Sequence, residues 1–158
     1  RDTLPAVTKH ADPASTYDKY KTLSAEEYEA TKWIKQNTPE DALFATQMYK
    51  SMGGDDYSIV NRWHHCHFMY AAYAIRNFYL EGSGYTFTDV EAEERREMIK
   101  NTDKLYDPES ETRGDDAREL GVDYVMVTQK IYPTPDLSSA DYEKVFSNKD
   151  VDIYKVKQ

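Results

Sequence analysis

The sequence predicts an α/β fold: a mixed, mainly parallel sheet flanked by helices, with a C-terminal β-hairpin, in a single domain. Capping-box patterns at Ser24 and Thr88 open two amphipathic segments. Short apolar runs such as DYVMVT at 123–128 have the length and composition of buried strands. Two strand-like runs, 144–146 and 151–156, are separated by a short polar turn. Helices that alternate with strands favour a layered sheet and helix architecture.

The first helix is predicted over residues 23–37. Ser24 and Glu27 form its capping box, in which side chains satisfy each other's backbone donors. Pro39 disfavours helical geometry in the residue before it and ends the helix. Three apolar side chains are expected to face the core: Tyr28, Trp33 and Ile34.

The remaining elements follow from local patterns along the chain. In the first half these are a strand at 42–46, a loop at 47–56, a short strand at 57–60, a run at 65–73 that suits helix or strand, and a strand at 75–80. In the second half a helix is predicted from 88 to 105, followed by a loop at 106–113. A short helix capped by Asp115 or Asp116 ends at Gly121, and a strand follows at 123–128. The rest is a loop at 131–137, at most a helical turn at 138–142, and the hairpin.

Composition restricts the function. The chain of 158 residues carries a net charge of −9, which disfavours nucleic acid and anionic lipid head groups, since both require basic patches. Residues 1–22 are polar and predict a lead-in or linker, so the ordered domain is expected over 23–158. The sequence opens on Arg1 without a methionine, and we therefore expect a fragment or a processed form. One cysteine, Cys66, gives no internal disulfide.

Several segments together resemble a known family. These are Trp33-Ile34, Asn37-Thr38-Pro39, Asp41-Ala42, Ala72-Tyr73, Arg76, Tyr79-Leu80-Glu81-Gly82, Tyr85, Leu120-Gly121-Val122-Asp123-Tyr124-Val125 and residues 151–156. Their order resembles the C-terminal extracytoplasmic domain of bacterial polytopic membrane proteins related to the GT-C glycosyltransferases. The similarity runs from Leu23 to the C-terminus, and its sharpest part extends from Arg76 to Tyr85.

The resemblance implies an accessory domain outside the membrane. In GT-C enzymes the catalytic acid lies on a loop between membrane spans, and that part is not in this sequence. The resemblance therefore implies a non-catalytic domain on the extracytoplasmic face of the cell membrane. We expect no cofactor. Its expected partners are the transmembrane region of its own parent protein and a glycan or lipid-linked sugar.

The segment 71–94 holds the candidate ligand-binding residues. An aromatic run ends at Glu81 and two glycines, and an acidic helix start follows, which is a usual place for sites in α/β folds. In one interpretation Glu81 and Tyr85 contact a polar ligand such as a sugar, with Arg76 nearby. In the other, Glu81 accepts hydrogen bonds from amides of the turn at 82–84, and Arg76 pairs with an acid. If 75–80 is a strand, Arg76 and Glu81 lie on opposite faces.

The run at 63–67 suggests a metal site. On a strand His65 and His67 share a face and are candidate ligands, but a tetrahedral site needs further ligands that no second motif supplies. Half-buried histidines are the structural alternative. A metal-dependent hydrolase using His64, His65 and His67 is an alternative function, and a carbohydrate-binding module is another.

Overall fold

Four helices and five strands make up the described chain. The computed structural model describes residues 23–48, 68–81, 92–129 and 133–158, with only the backbone of Ala92 and Arg95. The elements are α1 (Ala25–Asn37), β1 (Leu43–Thr46), α2 (Met69–Ala74), β2 (Asn77–Phe78), α3 (Ala92–Lys104), α4 (Arg113–Glu119), β3 (Tyr124–Thr128), β4 (Tyr142–Ser147) and β5 (Val151–Val156). Within these ranges no helix is long and apolar enough to cross a membrane.

The strands form a mixed sheet in the order β2-β1-β3-β5-β4. β1 is parallel to both β2 and β3, whereas β5 is antiparallel to both β3 and β4. The predicted α/β class and the terminal hairpin are confirmed, but the prediction of a mainly parallel sheet is wrong. A short turn forces β4 and β5 to run in opposite directions, and β5 then inserts beside β3. Half of the strand pairings are therefore antiparallel.

The sheet has a packed layer on each face. One core cluster joins α1 and α2 to the sheet: Ala30, Ile34, Ala42, Phe44, Met48, Tyr70, Ala74, Tyr124, Met126, Val151 and Ile153. The other lies on the opposite face: Ala45, Leu105, Tyr106, Ala117, Val122, Val125, Val127, Leu137, Tyr142, Tyr154 and Val156. All five residues of β3 are buried, as expected for a central strand covered on both sides.

The first helix begins where the sequence predicts. Ser24 Oγ accepts from the Glu27 amide, and a Glu27 carboxylate oxygen accepts from the Ser24 amide, which completes the capping box. The prediction that Tyr28 faces the core is wrong, because 53% of this residue is exposed. Ile34 is fully buried, and Trp33 packs beside the core against Phe146, with ring centroids 5.3 Å apart.

The segment between α1 and α3 differs most from expectation. Part of the ambiguous run forms α2, and the strand predicted over 75–80 contracts to the two residues of β2. Ile75 adopts the left-handed helical conformation, with φ 52° and ψ 49°, and ends α2. This conformation is sterically unfavourable for a β-branched residue, and for this reason the sequence pattern did not predict it.

The fourth helix ends as predicted but begins differently. Gly121 follows it with φ 70°, the left-handed conformation that glycine adopts without strain. Thr112 is the N-cap rather than Asp115 or Asp116, which lie in the first turn, where carboxylates complement the helix dipole.

Candidate functional site

The carboxyl ends of the three parallel strands define the candidate site. Glu81 follows β2, Gln47 follows β1 and Gln129 follows β3, so all three lie at one edge of the sheet. Asp152 lies at the same edge, because antiparallel β5 begins there and Asp152 pairs with Val127. Open α/β sheets bind ligands at this position. We call it the carboxyl edge.

Glu81 is the most deeply buried carboxylate at the carboxyl edge, with 1% of the residue exposed. Its Oε1 accepts from the amide of Tyr70 at 2.6 Å, and its Oε2 accepts from the amide of Ala71 at 2.9 Å. Burial raises the pKa of Glu81 to about 7, since loss of hydration outweighs the two amide donors, which lower it. Glu81 thus joins the end of β2 to the first turn of α2.

The described hydrogen bonds of Glu81 come from backbone amides. A carboxylate held by backbone amides was one of the two interpretations, but the donors belong to α2 rather than to the turn at 82–84, which is outside the described residues.

Tyr70 extends this arrangement across the sheet. Its hydroxyl donates a short hydrogen bond to Glu27 Oε1 and lies 3.2 Å from Thr128 Oγ1. Glu27 is buried, and its other oxygen accepts from the Ser24 amide at 2.7 Å. Burial, followed by the nearby Glu27 carboxylate, raises the pKa of Tyr70 well above its ordinary value. A polar chain therefore connects α1, α2 and β3 inside the core.

The sequence did not predict this polar chain of Glu27, Tyr70 and Thr128. The capping box accounts for Glu27 as a local feature, and nothing in the sequence links it to Tyr70, which is 43 residues away. The available signal was a tyrosine in an apolar run, because a buried tyrosine needs a partner for its hydroxyl.

Arg76 lies at the other end of β2 and caps the C-terminus of α1. Its Nη2 donates to the carbonyls of Lys35 and Thr38 at 3.0 and 2.7 Å, and its Nε donates to Thr38 Oγ1 at 3.1 Å. Its Nη1 donates to the Ile75 carbonyl at 2.8 Å. A cation is favourable at a helix C-terminus, where carbonyls lack partners within the helix.

The structure does not bring the two described candidates together. Arg76 precedes β2 and Glu81 follows it, so the two side chains lie at opposite ends of the strand. The alternative role for Arg76 was pairing with an acid, whereas its described hydrogen bonds go to carbonyl and hydroxyl oxygens. The third candidate, Tyr85, lies outside the described residues.

A second polar group fastens the segment after β3 to the carboxyl edge. The Gln129 carboxamide donates to the Thr134 carbonyl at 3.0 Å and to Asp152 at 3.1 Å, and it accepts from the Thr134 amide at 3.0 Å. The hydroxyl of Thr134 donates to Gln47 at 3.2 Å, and that of Ser147 donates to Asp152 at 2.6 Å. These side chains tie β1, β3, β4 and β5 to the segment that contains Thr134.

The histidines of the predicted metal site, His64, His65 and His67, are not among the described residues. In the described ranges no three His, Cys, Asp or Glu side chains come together as a metal site.

The chemistry available at the carboxyl edge centres on Glu81. A carboxyl group with a pKa near neutrality has the acidity of a general acid or base. Both of its oxygens, however, accept backbone amides, and almost none of the residue is exposed. Glu81 is therefore a buried side chain that joins the end of β2 to α2 by hydrogen bonds.

No protein-family model matches the sequence, and no curated protein matches it.

Proposed function

We propose that this chain is a non-catalytic, extracytoplasmic α/β domain of a multispanning membrane protein of the GT-C glycosyltransferase type. In this proposal the domain stabilises the membrane part, or helps to position a lipid-linked sugar or an acceptor. Residues 1–22 are the lead-in from the membrane part.

One observation carries the non-catalytic role. Arg76 and Glu81, the polar described members of the segment that most resembles the family, both direct their hydrogen bonds into the fold. Arg76 closes α1, and Glu81 joins α2 to β2. Groups that hold a scaffold in this way contribute stability, which is what an accessory domain requires.

The parent gene provides the first test. Upstream of the codon for Arg1, the proposal predicts several apolar segments of about 20 residues, the length that crosses a bilayer as a helix. A complete reading frame beginning near Arg1 without such segments would contradict it.

The full-length parent provides the second test. Deleting residues 23–158 should lower the melting temperature of the membrane part in detergent. Arg76→Ala, which removes the cap of α1, should have the same effect in a smaller measure. Arg96→Ala is the matched control, because Arg96 lies on the exposed surface of α3 with an ion pair to Glu93 at 3.8 Å. A membrane part that melts at the same temperature without the domain would refute a stabilising role.

A further inference from the structure

The most exposed large apolar residues of the described chain belong to α1, α2 and their ends. They are Tyr28, Tyr73, Ile75 and Phe68, with 53%, 53%, 58% and 40% exposed. The rings of Tyr28 and Tyr73 meet edge to face, with centroids 5.8 Å apart, so the two helices share one aromatic surface. Exposed apolar groups that are contiguous mark interaction sites more often than scattered ones do.

Ile75 adds backbone strain to this surface. Its left-handed conformation costs an L-residue about 1–2 kcal/mol, and glycine or asparagine adopts it more readily. The side chain recovers little of that cost by burial, since more than half of the residue is exposed. Strained residues cluster at functional positions, and here the strain holds an apolar side chain outward.

Two lysines accompany the aromatic rings. Lys32 and Lys35 follow Tyr28 at the fourth and seventh positions, so the three side chains form one stripe along α1. The end of this stripe lies beside Ile75, because Arg76 bonds both the Lys35 carbonyl and the Ile75 carbonyl. We call Tyr28, Lys32, Lys35, Tyr73 and Ile75 the α1–α2 face.

The carboxylate of Glu29 is directed away from the α1–α2 face. Glu29 lies on the hairpin side of α1, where its carboxylate accepts from Asn148 at 2.9 Å. The same Asn148 amide donates to the Glu26 carbonyl at 3.0 Å. Residues 68–80, which contain all of α2 and β2, include no Asp or Glu. The five side chains of the α1–α2 face therefore include two cations and no carboxylate, in a chain of net charge −9.

We propose that the α1–α2 face lies against a phospholipid bilayer. This proposal rests on the proposed function and names the surface through which the domain contacts the membrane. Tyrosine rings suit the head-group level, where one end is apolar and the other hydrated. Lysine stems lie along apolar surface while their ammonium groups reach phosphates. Local charge at the face, rather than net charge, governs this contact, because at physiological salt charges beyond about 8 Å are screened.

The contact needs little affinity of its own. A short tether to a membrane part gives an effective concentration in the millimolar range, so a weak surface suffices. The unattached chain should accordingly bind vesicles weakly but measurably.

The test is flotation of the full chain with vesicles of phosphatidylcholine containing one-fifth phosphatidylglycerol, at 0.15 M salt. Lys32→Gln with Lys35→Gln should weaken partitioning roughly 30-fold, from about fivefold per lysine. Lys100→Gln with Lys149→Gln changes net charge equally on exposed sites outside the face and should leave binding unchanged. Pure phosphatidylcholine vesicles and competition with inorganic phosphate separate a bilayer site from a site for the anion alone.

Ile75→Asn separates binding from folding. Asparagine tolerates the left-handed conformation, so the melting temperature should stay the same or rise while vesicle binding falls several-fold. Equal vesicle binding by wild type and Ile75→Asn would overturn the proposal, as would abolition of binding by 10 mM phosphate. A dimer in light scattering that Ile75→Asn dissociates would assign the face to a second copy and also overturn it. None of these results bears on the upstream gene sequence, which tests the proposed function separately.

Discussion

Replacing Glu81 with glutamine removes a buried titrating group while preserving the size of the side chain. In the folded protein the pKa of Glu81 is about 7, against 4.5 for an unburied glutamate. The folded state therefore binds the proton more tightly than the unfolded state between these two values. Stability from this group is largest below about pH 4.5 and falls as the pH rises toward 7. The direction is opposite to that of a carboxylate stabilised by an ion pair.

The magnitude follows from the gap between the two pKa values. At about 1.4 kcal/mol per pH unit, burial of the ionised carboxylate lowers the free energy of unfolding by about 3 kcal/mol above pH 7. The amides of Tyr70 and Ala71 already offset part of a larger cost of desolvation. Amide donors alone would lower the pKa of Glu81. Whether stability falls or rises with pH therefore tests whether desolvation outweighs these hydrogen bonds.

Urea denaturation of wild type and Glu81→Gln between pH 4 and 8.5 measures this effect. The difference in unfolding free energy, wild type minus variant, should fall by about 3 kcal/mol from pH 4 to 8 and be level beyond that window. The difference cancels the titration of every other group that the two proteins share. Glu119→Gln, on the exposed surface of α4, controls for loss of one negative charge. Carbon NMR of the Glu81 carboxyl follows the same proton directly.

A constant difference across this range would refute the reasoning. A difference that increases with pH would show that the amide hydrogen bonds outweigh desolvation, and that Glu81 is ionised throughout the neutral range.

Three further substitutions test the packing. Arg76→Ala should lower the free energy of unfolding by about 3 kcal/mol, since it leaves the carbonyls of α1 without a charged donor. The control Arg96→Ala should change it by less than about 0.5 kcal/mol. Equal effects of the two substitutions in thermal melts would contradict the capping role. Tyr70→Phe should cost about 2 kcal/mol in urea titrations, because it removes a donor from the buried carboxylate of α1; an unchanged midpoint would contradict this account of the polar chain. Gly114→Ala should lower unfolding free energy by about 1–3 kcal/mol, because an added Cβ overlaps the Asp141 side chain; a gain in melting temperature, as expected from helix propensity alone, would show that Asp141 moves aside.

Local patterns predicted the elements whose signals are local. The capping box located α1, and the buried run at 124–128 located β3. The turn before Val151 is also local, since Asn148 Oδ1 accepts from the amides of Asp150 and Val151 and closes the hairpin. Each of these depends on contacts within a few residues.

What the sequence did not predict depends on distant contacts. Ile75 bends the chain against its own preference, so β2 is two residues long rather than six. The partners of Glu81 are 10 and 11 residues away, and Arg76 reaches the end of α1 about 40 residues before it. Periodicity indicated which residues form strands but not which strands are neighbours, so the antiparallel pairing of β5 with β3 was not predicted. Local patterns singled out Arg76 and Glu81 as polar residues of interest, but their hydrogen-bond partners depend on the fold.

The position of β5 has a consequence for how the sheet is completed during synthesis. β5 lies between β3 and β4, and β4 has no other strand partner in the described sheet. A nascent chain that has emerged only as far as β4 therefore has a β3 with one open edge and a β4 with nothing to pair with. Open edges of apolar strands template association between chains. Chains interrupted before Val151 should consequently aggregate or be degraded, and productive folding awaits the emergence of the fifth strand.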